Sequence, residues 1–336
     1  MAEHLPSSEL LIELDRVSRW YGSFLALDEV SLRLAPGRIG LLGPNGAGKS
    51  SLLKILLGLM PPSAGTGRVL GRDLASAGAD LRRAIGYMPE TDGLIPGLPG
   101  IDYVALAGEL YGMPRREARR RAHEVLTYLG LEEARYRRLE EYSTGMKQRL
   151  KLGAALVHDP PVLLLDEPTS GLDPSGRDAM LDLLAELGRE HGKSLILCTH
   201  LLGDVERVCE TVVILHRGRV LRQGSVRSLC DSRNDRFRLQ LGSDSAELRG
   251  DLEASGVGIL EADGQGRLRV AAPEGWSPRT FFQLAASYSI PIVGLQRDDE
   301  SLEELFHRVL SEAEESTEAT PDSPVPTRAV HHGSAR

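Results

Sequence analysis

The run Gly43-Pro44-Asn45-Gly46-Ala47-Gly48-Lys49-Ser50 brings glycines, a lysine and a hydroxyl together at fixed spacing. Glycines let successive backbone N–H groups point at phosphate oxygens, and a helix starting there adds its positive end. The pattern is that of a P-loop: Lys49 is spaced to neutralise β/γ-phosphate charge and Ser50 to offer its hydroxyl to Mg²⁺, with Ser51 entering the helix behind it. A second candidate set follows the apolar run Val162-Leu163-Leu164-Leu165, which ends in Asp166 and Glu167. Both carboxylates should emerge at the carboxyl edge of a sheet, where open α/β folds bind ligands. Asp166 suits a Mg²⁺-water contact, and Glu167 suits polarising an attacking water. Strand ends are often acidic, so the pair gains its meaning from the glycine-rich loop upstream.

These groups need a strand before the loop and a helix after it. Residues 10–17 and 26–34 read as strands, the second with Leu27, Val30, Leu32 and Leu34 alternating; residues 38–42 form a short buried strand, and residues 51–59 an apolar helix. Residues 161–165 and 194–198 are continuous apolar runs suited to buried parallel strands. Between them, residues 80–157 are mostly helical in pattern and rich in Arg and Glu, which places a helical insertion at about residues 91–157 of an α/β core. Within it, the basic run at residues 115–121 reads as a solvated helix face.

Hydrophobic residues make up 41% of the 336 and charged residues 26%, which excludes collagenous, disordered and disulfide-scaffold classes. A formal charge of -8 is opposite to the basic stripe that grips phosphate backbones, so nucleic acid is not expected as a partner. The three cysteines, Cys198, Cys209 and Cys230, lack metal-ligand spacing and read as free thiols in a reducing cytosol. No apolar run approaches the ~20 residues of a spanning helix, so the expected location is cytoplasmic.

The family decision falls on Tyr142-Ser143-Thr144-Gly145-Met146-Lys147-Gln148-Arg149, which resembles the signature of ATP-binding cassette (ABC) ATPases, usually Leu-Ser-Gly-Gly-Gln. Ser143 and Gly145 match; Tyr142, Thr144 and Met146 depart. Ser143 can cap the helix that follows, whose positive end would face an anion. The resemblance covers residues 10–224 and implies a P-loop NTPase fold, α/β with a helical subdomain, that binds ATP and Mg²⁺. By the same resemblance Tyr21 is the aromatic that stacks on adenine, with a core tyrosine as the alternative. Ser170-Gly171-Leu172-Asp173 resembles the loop that crosses the dimer interface, where Asp173 would meet the opposite nucleotide, and His200 resembles the switch histidine at the γ-phosphate. Glu90, in Ile85-Gly86-Tyr87-Met88-Pro89-Glu90, stands where the family usually has Gln; it can still meet Mg²⁺ and water but adds negative charge. This Glu and the Ser-Thr-Gly-Met signature are similar to those of drug-efflux exporters.

One complete set of elements implies an ATP-sandwich homodimer or heterodimer with two sites. The resemblance further implies a separate multi-span permease, touched by residues 97–111, that would hold the chain on the inner face of the cell membrane. Two other readings stand beside it. A cytosolic cassette that remodels ribosomes or DNA would carry two cassettes or a coiled-coil insertion; a non-hydrolysing regulator would have lost Glu167. Beyond residue 225 the order β-α-β-β-α-β over residues 232–310 suggests a small α+β, ferredoxin-like module. Ser301 and Glu304 form a capping box for a last helix through Leu310, and residues 311–336 read as a disordered acidic and proline-containing tail.

Overall fold

The computed structural model describes residues 10–91, 93–230, 236–273, 275–298 and 301–318. The chain begins as a hairpin, β1 (Ile12–Tyr21) and β2 (Phe24–Leu34), then passes through β3 (Arg38–Leu42) into α1 (Lys49–Leu56). Next come β4 (Ala64–Val69), β5 (Arg72–Asp73), α2 (Gly78–Ala84) and β6 (Ile85–Met88), followed by the helices α3 (Gly100–Leu110), α4 (Arg115–Tyr128) and α5 (Thr144–Leu156). The first part closes with β7 (Val162–Asp166), α6 (Pro174–Arg189), β8 (Ser194–Cys198), α7 (Leu202–Val208), β9 (Thr211–His216), β10 (Arg219–Ser225) and α8 (Val226–Cys230).

Two sheets form the core. One is antiparallel with order β2-β1-β4-β5; the other has order β10-β9-β3-β8-β7-β6 and is parallel except for its β10 edge. The continuous apolar runs make sense here because alternate side chains enter different cores. Val162 and Leu164 of β7 face the cluster that holds α1 and the antiparallel sheet, whereas Leu163 and Leu165 face the one that holds α5, α6 and α7. All five residues of β8 are buried. Such a strand cannot slip by one residue without exchanging both faces, so the register that sets the strand ends is strongly specified.

The helical insertion has its own cluster, in which Ile101 and Val104 of α3 meet Ala122 and Leu126 of α4 and Leu150 of α5. The basic run lies on α4, where Arg119 pairs with Asp102 at 2.7 Å and Arg121 with Glu124 at 2.9 Å. After it, β11 (Arg236–Leu241), α9 (Ala246–Ala254), β12 (Gly258–Ala262), β13 (Arg267–Ala271), α10 (Pro278–Ser287) and β14 (Ile292–Arg297) build a second, antiparallel sheet of order β12-β13-β11-β14. Phe237, Leu239, Leu268 and Val270 turn one face of it onto α9 and α10.

Several boundaries differ from those expected. β1 runs on to Tyr21, and α1 opens at Lys49 rather than at residue 51. β4, β5, β9 and β10 were not expected, nor was β6, which falls in a stretch read as mostly helical; β4 is Ala-Gly-Thr-Gly-Arg-Val, a poor strand former held by pairing to β1. The last helix, α11 (Leu302–Glu318), passes well beyond Leu310, so residues 311–318 are not tail. Its Leu302, Leu305 and Val309 pack on the first part's core, and Glu312 carries the helix onward by pairing with Arg308 at 3.1 Å and Arg222 at 3.3 Å. The remainder of the expected tail, residues 319–336, lies outside the described residues. The capping box forms: Ser301 Oγ accepts from Glu304 N, and Glu304 Oε2 from Ser301 N, both at 3.2 Å.

β6 and α5 approach so closely that a Cβ on Gly86 would lie 2.1 Å from the Ala155 carbonyl oxygen. Backbone on both sides cannot yield, so Gly86→Ala should cost about 2–3 kcal/mol by overpacking. Urea unfolding of the variant would check this; an unchanged midpoint would mean that the strand and helix can part freely.

Candidate functional site

β3, β7 and β8 are adjacent parallel strands, and their carboxyl ends open on one cleft. It has a volume of about 300 Å³ and is lined by Asn45, Gly46, Ala47, Gly48, Lys49, Ser50 and Ser51 on one side and by Glu90, Asp166, Glu167 and His200 on the other. Of the residues singled out in the sequence, these come together. Gly43 and Pro44 lie just behind, as the carbonyls that hold Lys49.

The loop owes its shape to glycine. Gly48 has φ +104°, and a Cβ there would lie 2.7 Å from the Ala26 carbonyl oxygen, so no other residue fits this turn into α1. Lys49 Nζ donates to the Gly43 carbonyl at 2.5 Å and to the Pro44 carbonyl at 3.2 Å. The ammonium is thereby held over the mouth of the loop, beside the first-turn N–H groups of α1, where a phosphate would sit.

Across the cleft the carboxylates have different environments. Burial, and after it the charges of Glu90 and Glu167, push the Asp166 carboxyl above the usual carboxylate range, against the pull of a Cys198 hydrogen bond and of Lys49. The nearby Tyr87 phenol is pushed up to about 12, by burial first and then by the charge of Asp166. Glu167 is the more tightly built: only 8% exposed, it has φ +48° and accepts from Thr199 Oγ1 at 3.0 Å and from the His200 backbone N–H at 3.0 Å, while His200 Nδ1 lies 2.8 Å from its Oε1. Both carboxylate oxygens thus have a partner, Oε2 in Thr199 and Oε1 in His200, while the ring of His200 stays largely open to solvent. Three carboxylates facing one ammonium make a cleft that gains from a divalent cation, and Ser50, Asp166 and Glu90 are oxygen donors that could hold one. Among the described residues no three His, Cys, Asp or Glu side chains gather as a cage. That suits Mg²⁺, which is held by one or two carboxylates together with phosphates.

Ser143, Thr144, Gly145 and Asp173 are not in this cleft. Ser143 caps α5, accepting from Met146 N at 3.3 Å, and Ser143, Thr144 and Asp173 are exposed. They neighbour one another: a Cβ on Gly171 would lie 3.3 Å from Thr144 Cγ2, and Gln148 Nε2 donates to the Ser170 carbonyl at 2.9 Å. The second loop is anchored below by buried groups that the sequence reading missed. Thr169 Oγ1 donates to Asp204 Oδ2 at 2.5 Å, and Arg177 Nε to Asp204 Oδ1 at 2.6 Å. An aspartate on the inward face of α7 was the only available sign.

Tyr21 is the last residue of β1. It is not part of the cleft lining; its hydroxyl donates to Met60 Sδ at 3.0 Å, and the Arg19 guanidinium lies 5.1 Å from its ring centre. The aromatic that does line the cleft is Phe24, its cross-strand partner at the hairpin end, which is 63% exposed. A lone phenylalanine beside the Gly22 turn carried no signal in the sequence beyond its exposure in a short hairpin.

A phosphate loop ahead of a helix and paired acids at the end of a strand in the same parallel sheet define a P-loop nucleoside-triphosphate hydrolase. The comparisons narrow the class. A family model described as ABC transporter matches residues 27–170. The chain is 37% identical to Nod factor export ATP-binding protein I of Paraburkholderia xenovorans (strain LB400), over 72% of this chain and 77% of that protein. It is 36% identical to linearmycin resistance ATP-binding protein LnrL of Bacillus subtilis (strain 168), over 66% of this chain and 71% of that one. Among solved structures it resembles the dimeric post-hydrolysis state of the ATP-binding cassette MJ0796 bound to ADP and Pi, with a TM-score of 0.58 and 28% identity over 64% of this chain and 98% of that one. The chain belongs to the family of ABC transporter ATP-binding proteins: it is an ATP-binding subunit whose ATPase activity is coupled to transport.

Since base stacking is mainly uniform binding, Phe24→Ala should raise the KM for ATP about tenfold with kcat nearly unchanged. Steady-state ATPase assays of Phe24→Ala beside Tyr21→Ala would divide the role between the two rings. An effect confined to Tyr21 would remove Phe24 from the adenine end of the cleft.

Proposed function

We propose that the chain is the ATP-hydrolysing half of an exporter whose membrane-spanning segments lie on a separate polypeptide. Among the described residues no helix is long and apolar enough to cross a membrane. The observation that carries the reading is an apolar groove of about 450 Å³ between the core and the helical insertion, lined by Leu57, Leu59, Ile85, Tyr87, Leu110 and Tyr111 among others. Leu59 is 56% exposed and Leu110 81%, a poor arrangement for a surface that faces only water. Such a groove takes the apolar face of a short amphipathic helix, here one presented by the permease at the inner face of the membrane. Tyr87 lines the groove from β6, the strand paired with β7, so an occupant would lie one strand from the hydrolysis site. The names of the relatives, Nod factor export and linearmycin resistance, support export over import. Nucleic acid has no part in this reading.

Within the site, Lys49 and the N-terminus of α1 hold the β- and γ-phosphates of ATP. Glu167 takes the proton side of the attacking water, and His200 keeps that carboxylate aimed while its open ring edge reaches the γ-phosphate. Bound Mg²⁺ would neutralise phosphate charge between Ser50, Asp166 and Glu90. Ser143, Thr144 and Asp173, which are exposed, and the half-buried Gly145 beside them lie away from their own cleft and complete the cleft of a second subunit, whether an identical chain or a close relative. Two such half-sites close on two ATP molecules, and hydrolysis releases them; the closure moves the occupant of the groove.

Glu167→Gln should bind ATP, lose about a hundredfold or more in turnover, and run as a dimer in gel filtration with MgATP. Unchanged turnover would sink the general-base role. For the partner, Leu110→Asp should keep ATP binding yet lose the multi-spanning protein that co-purifies with the tagged wild-type chain from detergent-solubilised membranes. A wild-type preparation that captures ribosomal proteins and no membrane protein would overturn the exporter reading.

A further inference from the structure

Lys151 lies in the middle of α5 and is only 2% exposed, between Leu150 and Leu152, which are both fully buried. Removing an ammonium from water is costly, so such a group persists only where its bonds are well made. Lys151 Nζ donates to the backbone carbonyl of Glu90 at 2.9 Å. Glu90 is the acidic residue that follows β6 and lines the nucleotide cleft with Asp166 and Glu167. One side chain therefore joins the helix of the insertion to the backbone of a residue inside the hydrolysis site.

The placement along α5 adds to this. Ser143 caps the same helix eight residues earlier, about 12 Å along its axis. At its other end α5 presses on β6, where the Ala155 carbonyl leaves no room for a Cβ on Gly86. The exposed signature, the buried ammonium and the contact with β6 thus lie on one rigid rod. A rotation of the insertion that brings Ser143 toward a second subunit must carry the Glu90 backbone with it, unless the Lys151 bond breaks inside an apolar core. The cation also stands directly behind the loop that adds a negative charge to an already acidic cleft.

We propose that Lys151 is a positioning residue for hydrolysis: it ties the orientation of the helical insertion to Glu90, so that the Glu90 carboxylate takes its working place in the cleft only when α5 does. The inference rests on the site reading above in putting Glu90 at the hydrolysis end of the cleft, and it does not depend on the permease.

A double-mutant cycle in the isolated chain tests it, with Lys151→Met, Glu90→Ala and the two combined. Lys151→Met should lower kcat about tenfold while KM for ATP stays within about twofold, because the phosphate loop is untouched. The double variant should be no slower than Glu90→Ala alone, and Lys151→Arg should recover most of the loss. Hydrogen exchange supplies a readout independent of turnover: the amides of Met88, Glu90 and Thr91 should exchange faster in Lys151→Met, with those of α1 unchanged. Should Lys151→Met fail to fold, Lys151→Gln takes its place in the cycle. Losses that multiply in the double variant, wild-type kcat in Lys151→Met, or unchanged exchange at Met88, Glu90 and Thr91 would each overturn the proposal. Wild-type kcat in Glu90→Ala would overturn the placement of Glu90 together with it, whereas multiplied losses leave that placement standing.

Discussion

A carboxylate held out of water has to have its lone pairs met, and the demands of Glu167 organise the surrounding chain. Its partners, Thr199 and His200, lie just past the end of β8, and Glu167 itself just past the end of β7. They meet only because Asp166 pairs with Cys198 in the parallel register and because Glu167 N donates to the Cys198 carbonyl at 2.8 Å. The left-handed backbone at Glu167 costs about 1–3 kcal/mol, which the three contacts to its carboxylate offset. A one-residue slip of either strand would leave a buried charge unpaired as well as invert two cores. The apolar packing of β7 and β8 and the polar geometry of the site therefore enforce the same register.

The same economy holds together the residues that, on the proposed reading, complete a second subunit's cleft. Ser143, Thr144 and Asp173 are on the surface, yet the loops that bear them are not loosely attached. Gln148 grips the Ser170 carbonyl, while Thr169 and Arg177 converge on Asp204, whose side chain is wholly buried. Asp204 belongs to α7, the helix that starts two residues after His200. A force applied to the loop at Asp173 is thereby delivered to the helix behind the histidine that aims Glu167. In the proposed dimer, contact with a second subunit and the readiness of the acid would be linked through a few hydrogen bonds, with no long path required.

What could be read from the sequence follows the strength of local physics. Gly43 to Ser50, the acids after β7 and Ser143 at a helix start each announce themselves, because backbone geometry restricts the residue types those places accept. β4, with two glycines in six residues, did not: its pairing to β1 is a tertiary fact with no local propensity behind it. Phe24 was missed because a two-residue turn decides which hairpin ring meets the cleft, and either of two cross-strand neighbours could have done so. Lys151 gave no sign because a lysine on a helix is ordinarily solvated, and only the packing of the insertion onto β6 puts it inside. The last helix was ended too early because its final turns, past Val309, are polar and are carried by ion pairs with Arg308 and Arg222.

The C-terminal module is joined to the motor by the same kind of buried polar contact. Asp298, whose side chain has no exposure, accepts from both Arg238 and Arg269, and Arg269 reaches on to Glu304 of α11 at 2.7 Å. α11 in turn is seated on the motor by Leu302, Leu305 and Val309, and Leu302 N donates to Glu206 of α7 at 3.0 Å. Asp204 and Glu206 thus lie two residues apart on one short helix, the first holding the interface loop and the second the start of α11. Because a hydrogen bond to a charged acceptor is worth roughly 1.5–3 kcal/mol, neither link is a trivial tether. Under the proposed closure, a displaced α7 could not leave α11 where it was without breaking one of them, and the module would move with it.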